Sequence, residues 1–149
     1  MNSIYEKAAN RRMIERIKKL TPESTPLWGK MSVDQMCRHC TLSIKIPQGK
    51  LDLKYNHLLS IIGRVFKQKI ITDHVLEQNI PTVKELLVRR HYPFEKSKND
   101  LIKNFSRFSI EGKASIKNLN HPYFGEMTYK DWDIVIWKHL DHHLKQFGV

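Results

Sequence analysis

Apolar residues recur every three to four positions in four segments of the chain, the spacing of helices that bury one face. Each segment opens with a hydroxyl side chain followed three positions later by an acidic or amide side chain, so the two residues can cap a helix reciprocally. These pairs are Ser3 with Glu6, Ser32 with Gln35, Ser97 with Asp100, and Thr128 with Asp131. We therefore predict helices over about 3–20, 32–47, 97–112 and 128–147.

Four amphipathic helices without a convincing alternating strand predict an all-α fold, a four-helix bundle. The first two helices are joined by a short segment with two prolines, whereas residues 47–96 separate the second helix from the third. A link of this length allows a long crossover. Within it, the apolar patch 57–66 predicts a short accessory helix, and the irregular stretch around Pro81 and Pro93 predicts a loop.

The length and composition predict a single domain over 1–149. The 149 residues fit the common domain size of roughly 100–200 residues, and 40% hydrophobic with 28% charged residues is typical of a globular chain. The longest apolar runs, such as 134–137, fall far short of the roughly 20 residues that a membrane span needs. We therefore expect no membrane segment, and we expect no secretory signal because no apolar stretch follows the basic residues near the start.

Lysine and arginine total 26, aspartate and glutamate 15, which gives a formal charge of +11 at pH 7. A charge of this size suggests nucleic acid or an anionic surface as a partner. The basic residues, however, are spread at nearly even spacing from Arg11 to Lys145, whereas a surface that follows a phosphate backbone concentrates them on one face. We expect a solvated lysine-rich surface and do not expect nucleic acid as the main partner.

The histidines are the most informative residues in the sequence. On a helical projection of the last predicted helix, His139 and His143 fall inside the apolar arc, while His142 falls at its edge and is predicted to face solvent. The arc consists of Trp132, Ile136, Leu140, Leu144 and Phe147. In the second predicted helix, His39 lies away from the charged face and also points inward. Histidines at i and i+4 place their imidazoles one turn apart, the spacing at which both can bind one ion.

Three inward histidines from two helices predict a metal site with an open position. His39, His139 and His143 would supply the three protein ligands, which leaves a coordination position for water or substrate. Zinc and nickel are the favoured ions, with manganese and iron as further candidates, because imidazole is a common ligand for first-row divalent metals. In the alternative interpretation each histidine only forms hydrogen bonds within the core.

A Cys-x-x-Cys pair, Cys37 and Cys40, lies a full turn inside the second predicted helix. Redox motifs of this spacing begin at a helix N-terminus, which lowers the thiol pKa, so we predict two buried, small apolar side chains instead. Two cysteines also exclude a disulfide framework, and a reducing cytoplasm is the simplest compartment. A zincin-type protease is not expected, since Leu140 stands where the second motif residue, the glutamate base, would be.

His121 is the one further candidate for a catalytic role. The loop 121–125 precedes the last predicted helix and could approach the open end of a metal site, although His121 would serve equally well as a turn residue before Pro122. Trp28 and Trp132 could line a pocket, but we expect them to fill the core, as aromatic residues at such positions usually do.

Three segments of the chain resemble a known family. They are WGKMS at 28–32 leading into Met36 and His39, HPYFG at 121–125, and KHLDHHLKQFG at 138–148. Together they resemble the DinB/YfiT-like superfamily, in its uncharacterised branch of domains of unknown function. The likeness covers most of the chain and is weakest over 51–96.

The resemblance implies a four-helix bundle of up-down-down-up topology that often forms a homodimer. It also implies a divalent metal bound by His39 from the second helix and by the pair His139 and His143 from the fourth. Known members of the superfamily include thiol-S-transferases that act with low-molecular-weight thiols, and metal-dependent hydrolases. The implied partner is therefore a small-molecule substrate.

The residues and the resemblance lead to three functional hypotheses. In the first, the protein is a metal-dependent transferase or hydrolase whose open site activates a thiol or a water. In the second, it is a non-enzymatic metal-binding or stress-associated module that engages nucleic acid through its basic surface. In the third, it is a purely structural bundle with satisfied core histidines, which predicts no bound metal.

Overall fold

The computed structural model describes residues 2–54, 57–73, 76–79 and 82–149, except for the side chain at position 59. The described part is mostly helical, which confirms the all-α prediction in its coarse form. Its α-helices are α1 (Lys7–Lys18), α2 (Val33–Lys45), α3 (His57–Thr72), α4 (Phe94–Glu111) and α5 (Tyr129–Gln146). Two 3-10 turns occupy Lys84–Leu86 and Gly112–Ser115. Within the ranges given above, no helix is both long and apolar enough to cross a membrane.

Two of the predicted helix starts are confirmed. The backbone N–H of Ser32 donates to Gln35 Oε1 at 3.0 Å, directly before α2. At the start of α5, the Thr128 N–H donates to Asp131 Oδ2 at 2.9 Å, and the Asp131 N–H donates to Thr128 Oγ1 at 3.1 Å. These bonds satisfy backbone and side-chain groups that the first helical turn would leave unpaired.

The other two predicted starts are wrong. The Ser3 hydroxyl donates to Asp133 Oδ2 on α5 at 2.7 Å, so Ser3 ties the N-terminal segment to another helix rather than capping its own. Ser97 is a buried residue in the first turn of α4, since its N–H already donates to the Pro93 carbonyl at 3.0 Å. Helical bonding therefore begins at Pro93, where the ring fixes φ and no N–H needs a partner.

The crossover between α2 and α4 contains a longer helix than predicted. The accessory helix extends over His57–Thr72 rather than ending near Phe66. Its last carbonyls have a partner from another helix, because Lys138 Nζ donates to Ile70 O at 2.7 Å and to Ile71 O at 3.0 Å. The structure places Pro93 in a loop directly before α4, as predicted. Pro81 lies outside the described residues.

A small antiparallel hairpin corrects the expectation of a chain without strands. The strands are β1 (Asn120–His121) and β2 (Gly125–Glu126), with His121 paired to Gly125. Two residues per strand are too few to show an alternating pattern in the sequence. Gly125 has φ +72°, a conformation that favours glycine and completes the tight turn.

α1, α2, α4 and α5 pack around one hydrophobic core. The stripe predicted on α4 is confirmed, since Leu101, Phe105 and Phe108 are fully buried and Ile102 packs against them. The apolar arc predicted on α5 is also buried over its whole length, namely Trp132, Ile136, Leu140, Leu144 and Phe147. Burial of these side chains supplies the main driving force for folding.

α3 packs against α5 and the hairpin, and it approaches the hairpin turn closely at a glycine. A Cβ at Gly63 would lie 1.8 Å from the Tyr123 carbonyl oxygen, a distance that no side chain could accept without backbone movement. On its outer side, α3 exposes Leu58, Ile61 and Val65. α3 therefore covers the interior with one face and leaves apolar residues on the other.

Gly63→Ala should destabilise the protein. Helix propensity alone would stabilise α3 by up to about 1 kcal/mol, whereas the clash with the Tyr123 carbonyl should cost about 1–3 kcal/mol, as overpacking commonly does. We expect urea unfolding to show a lower free energy for Gly63→Ala than for a control with alanine at the exposed Gln68. A stability equal to or above that of the parent would contradict the close contact.

Candidate metal centre

Three histidines converge between α2 and α5. His39 comes from α2, while His139 and His143 lie one turn apart on α5, and one ring nitrogen of each lies within 4.8 Å of the others. His39 Nε2 and His139 Nε2 are 3.0 Å apart. The packing of α2 against α5 thus brings together side chains that are separated by about a hundred positions in the sequence.

A backbone carbonyl fixes the tautomer of His39. His39 Nδ1 lies 2.9 Å from the carbonyl oxygen of Leu86, at the end of the 3-10 turn in the crossover. A carbonyl oxygen can only accept a hydrogen bond, so Nδ1 must carry the proton. Nε2 therefore presents a lone pair toward the other two histidines, as a metal-ligating imidazole requires.

A glutamine fixes the tautomer of His143 in the same sense. Gln146 Nε2 donates to the Trp28 carbonyl at 2.7 Å, which leaves Gln146 Oε1 as the acceptor 2.8 Å from His143 Nδ1. His143 Nδ1 therefore donates, and its Nε2 carries a lone pair. The loop before α2 approaches Gln146 closely at Gly29, which has φ +81°. A Cβ at this position would lie 2.6 Å from Gln146 Nε2.

The donor set fits a divalent transition-metal ion. At zinc–nitrogen distances of about 2.0–2.1 Å, two ligands of one tetrahedral ion lie about 3.3 Å apart, close to the observed 3.0 Å between the Nε2 atoms of His39 and His139. That short contact between protein atoms requires a proton, which His139 Nε2 must carry because His39 Nε2 has none. An ion could take the place of this proton once His139 changes its tautomer.

Burial keeps the three histidines neutral. Removal from water lowers the pKa of His39 and lowers the pKa of His143 to about 3, and the neighbouring imidazoles add to the effect at His143. The pKa of His139 is lowered well below its usual value, again chiefly by burial and then by the other histidines. Near pH 7 the three rings are therefore neutral, so an ion meets no positive charge on them, and only the proton on His139 Nε2 has to move to the other ring nitrogen.

A cavity of 550 Å³ borders the three histidines. Apolar side chains from α2, α3, α5 and the hairpin make up most of its wall, among them Ile44, Ile62, Phe66, Phe124, Val135 and Ile136. His39 and His143 are buried, whereas His139 is only half-buried although it lies inside the fold, because part of its ring borders the cavity. A small molecule in this cavity would therefore lie next to the histidine nitrogens.

His121 lines the same cavity, but it presents a proton instead of a lone pair. It is buried at the end of β1, and its Nδ1 accepts from the N–H groups of Tyr123 at 3.1 Å and Phe124 at 3.2 Å. Burial lowers its pKa to about 3, so the ring is neutral and its proton resides on Nε2. His121 thus stabilises the turn and also borders the cavity, where it can act as a hydrogen-bond donor.

The expectation that His142 faces solvent is wrong. His142 is half-buried and borders the cavity, and its ring centroid lies 5.6 Å from that of Trp28. The loop that carries Trp28 and the segment at Leu76 cover this edge of α5, and a backbone hydrogen bond connects Leu76 to His142. A projection of one helix could not show that loops from elsewhere would cover it.

Cys37 and Cys40 are both buried and free, as predicted. Burial raises the pKa of the Cys37 thiol to about 12 and raises that of Cys40 well above its usual value. Since the thiolate is the reactive form, neither residue is suited to redox chemistry at neutral pH.

Sequence reasoning missed the groups that orient the histidines. Gln146 follows His143 by three positions, a spacing that a search for helical side-chain pairs could have flagged. The carbonyls of Leu86 and Trp28 had no signal at all, because any residue type offers a backbone carbonyl.

Comparison with known proteins yields one family. The family model described as "Protein of unknown function (DUF1569)" matches residues 6–148, a range that includes His39, His121, His139 and His143. No curated protein and no solved structure matches the chain.

The free energy of unfolding should decrease as the pH is lowered, and part of this decrease should depend on His121. The unfolded chain binds a proton at this histidine below about pH 6.5, whereas the folded chain does not until about pH 3. The contribution of His121 to the free energy of unfolding should therefore decrease by about 2 kcal/mol between pH 7.5 and pH 5. His121→Asn keeps an acceptor for the turn and removes the titrating ring, so urea unfolding should show a smaller loss for this variant.

An exposed residue that does not titrate, Gln68, provides the control for this experiment. Gln68→Asn should lose as much stability as the parent over the same pH range. A difference between parent and His121→Asn that stays constant from pH 7.5 to pH 5 would contradict a buried, neutral His121.

Proposed function

The chain belongs to the DUF1569 family of proteins of unknown function, and we propose that it is a metal-dependent enzyme acting on a small molecule. In this proposal His39, His139 and His143 bind one divalent ion. One observation carries it, namely that three ring nitrogens within 4.8 Å of one another border a cavity of 550 Å³.

The number of ligands favours a catalytic site over a structural one. Structural zinc sites are usually closed by four protein ligands, whereas catalytic sites have three and an open position. Among the described residues, the cluster that could hold an ion consists of the three histidines, with no cysteine or carboxylate. An all-imidazole set favours zinc or nickel over manganese and iron, which more often bind carboxylates as well.

The residues around the ion would divide the remaining tasks. A bound divalent ion would supply Lewis acidity that lowers the pKa of a water or of a low-molecular-weight thiol. The Leu86 carbonyl and Gln146 would hold His39 and His143 in the ligating tautomer, as outer partners of metal ligands commonly do. The apolar wall would bind the substrate body and exclude bulk water.

The resemblance to the DinB/YfiT-like superfamily supports the same proposal. It adds an up-down-down-up four-helix bundle, a homodimer, and an activity of the thiol-S-transferase or hydrolase type. A reducing cytoplasm is the compartment we propose, since both cysteines are free thiols.

Metal content is the first prediction of this proposal. Protein purified without a histidine tag should contain close to one ion per chain by elemental analysis, and His39→Ala and His143→Ala should lose it because each removes a ligand. Gln146→Leu should bind the ion about 10- to 100-fold more weakly, since the tautomer of His143 is no longer fixed.

Cys37→Ala is the matched control, because Cys37 is buried in the same helix as His39 but lies outside the cluster, and it should retain the ion. A parent protein that holds no metal, even after reconstitution with zinc, nickel, manganese and iron, would contradict the proposal.

Catalysis is tested with two substrate panels. The metal-loaded parent should accelerate either the reaction of small thiols with electrophiles or the hydrolysis of esters and amides, and His139→Ala should reduce this rate to background. Stoichiometric metal together with background rates in both panels would instead favour a non-enzymatic module.

That module is the second candidate function, and one surface favours it. Lys7, Arg11 and Arg12 on α1 and Lys19 directly after it are exposed around a shallow groove, and only Glu15 there carries a negative charge. Positive charge is therefore more concentrated than the sequence spacing suggests. Steeply salt-dependent binding of DNA or RNA would be its signature.

A further inference from the structure

Two buried indole N–H groups have no acceptor among the residues that the structure describes. They belong to Trp28 and Trp132, and both residues border the cavity beside the histidine cluster. The remaining unpaired atom of this kind in the described residues is Gln48 Oε1, an acceptor on a residue that does not border the cavity. A buried donor without a partner costs about 1–3 kcal/mol, so two such donors on one cavity wall indicate a ligand that supplies acceptors.

Trp132 is the more informative of the two. Its side chain is 1% exposed and forms part of the core, as the sequence predicted, yet its Nε1–H has no acceptor within the described part of the chain. Its ring centroid lies 5.4 Å from that of His121. Since Nδ1 of His121 accepts from the turn, Nε2 carries the proton, and no described residue accepts from it. The two rings are therefore neighbours, and each carries a neutral N–H donor without an acceptor among the described residues.

This donor pair is separate from the histidine cluster but shares its cavity. Trp132 precedes His139 by seven positions on α5, which corresponds to about 10 Å along the helix axis. A ligand held by the donor pair could therefore extend along the apolar wall formed by Val135 and Ile136 and end beside the cluster.

The wall limits the charge of such a ligand. The fully charged side chains that border the cavity in the described residues are Lys30 and Glu77, and Glu77 already pairs with Lys69. One lysine cannot compensate a phosphate or another polyanion in an otherwise apolar cavity, where an uncompensated charge is costly. Neutral N–H donors suit a carbonyl oxygen or a single carboxylate.

We propose that Trp132 and His121 bind the carbonyl or carboxylate oxygen of a small, largely apolar carboxylic acid, ester or amide. This assignment names a substrate class for the proposed function, and calling the ligand a substrate rests on that function. Binding of an oxygen by the two donors does not require the ion. Trp132 and His121 are binding residues in this assignment, and they hold the oxygen end of the ligand while its other end lies beside the histidines.

Indole NMR of the metal-free protein tests the donor pair directly. The chain has three tryptophans, so a ¹⁵N-labelled sample should give three indole N–H signals, assigned by Trp→Phe variants. Titration with straight-chain and phenyl-substituted monocarboxylates should move the Trp132 signal downfield at saturation, because its N–H gains an acceptor. The Trp137 signal should stay in place, because Trp137 does not border the cavity.

Two variants identify the donors. Trp132→Phe and His121→Asn should each weaken carboxylate binding roughly 3- to 10-fold, the effect of one lost hydrogen bond, while Trp137→Phe should bind like the parent. A Trp132 signal that does not move up to the solubility limit of any probe would overturn the inference, and so would movement confined to Trp28 or Trp137.

The same samples separate this inference from the proposed function. Movement of the Trp132 signal in a protein that never binds metal would support the donor pair and contradict the metal-dependent enzyme. Stoichiometric metal with an unchanged Trp132 signal would support the metal site and overturn the donor pair.

Discussion

The carbonyl oxygens of Leu86 and Trp28 determine where the protons of the buried histidines lie. The first binds His39 directly, and the second orients Gln146, which binds His143. Because a carbonyl can only accept, both histidines must direct unprotonated nitrogens toward His139. Burial keeps all three rings neutral. The lone pairs of His39 and His143 can therefore be satisfied only by the N–H of His139 or by a bound ion. The chemistry of the cavity depends on this constraint.

The opposite tautomer occurs at His121, only a short distance away in the same cavity. There the backbone amides of a turn bind Nδ1, so the ring offers a donor to the cavity. One residue type thus provides lone pairs at the histidine cluster and an N–H at the hairpin, and all four histidines border the same cavity. The difference arises from the group behind each ring, which is a carbonyl oxygen of the backbone or of Gln146 at the cluster and backbone amides at His121.

Close backbone approaches hold these groups in position. Gly29 lets the loop before α2 lie against Gln146, and Gly63 lets α3 lie against the Tyr123 carbonyl in the hairpin turn. Lys138 joins the end of α3 to α5 through two carbonyls of the helix terminus. The loop before α2, α3 and the hairpin, which form part of the cavity wall, are therefore held in place by these contacts in addition to the main hydrophobic core.

The sequence determined what depends on neighbours within about four positions. The helical stripes of α4 and α5, the caps at Ser32 and Thr128, and the inward row of His139 and His143 all follow from helical periodicity and local hydrogen bonds. Tertiary structure decided the rest. It turned the Ser3 hydroxyl toward Asp133, placed His39 beside His139, and chose each tautomer through backbone groups that every residue type carries alike. Such contacts join distant parts of the chain, so only packing can select them.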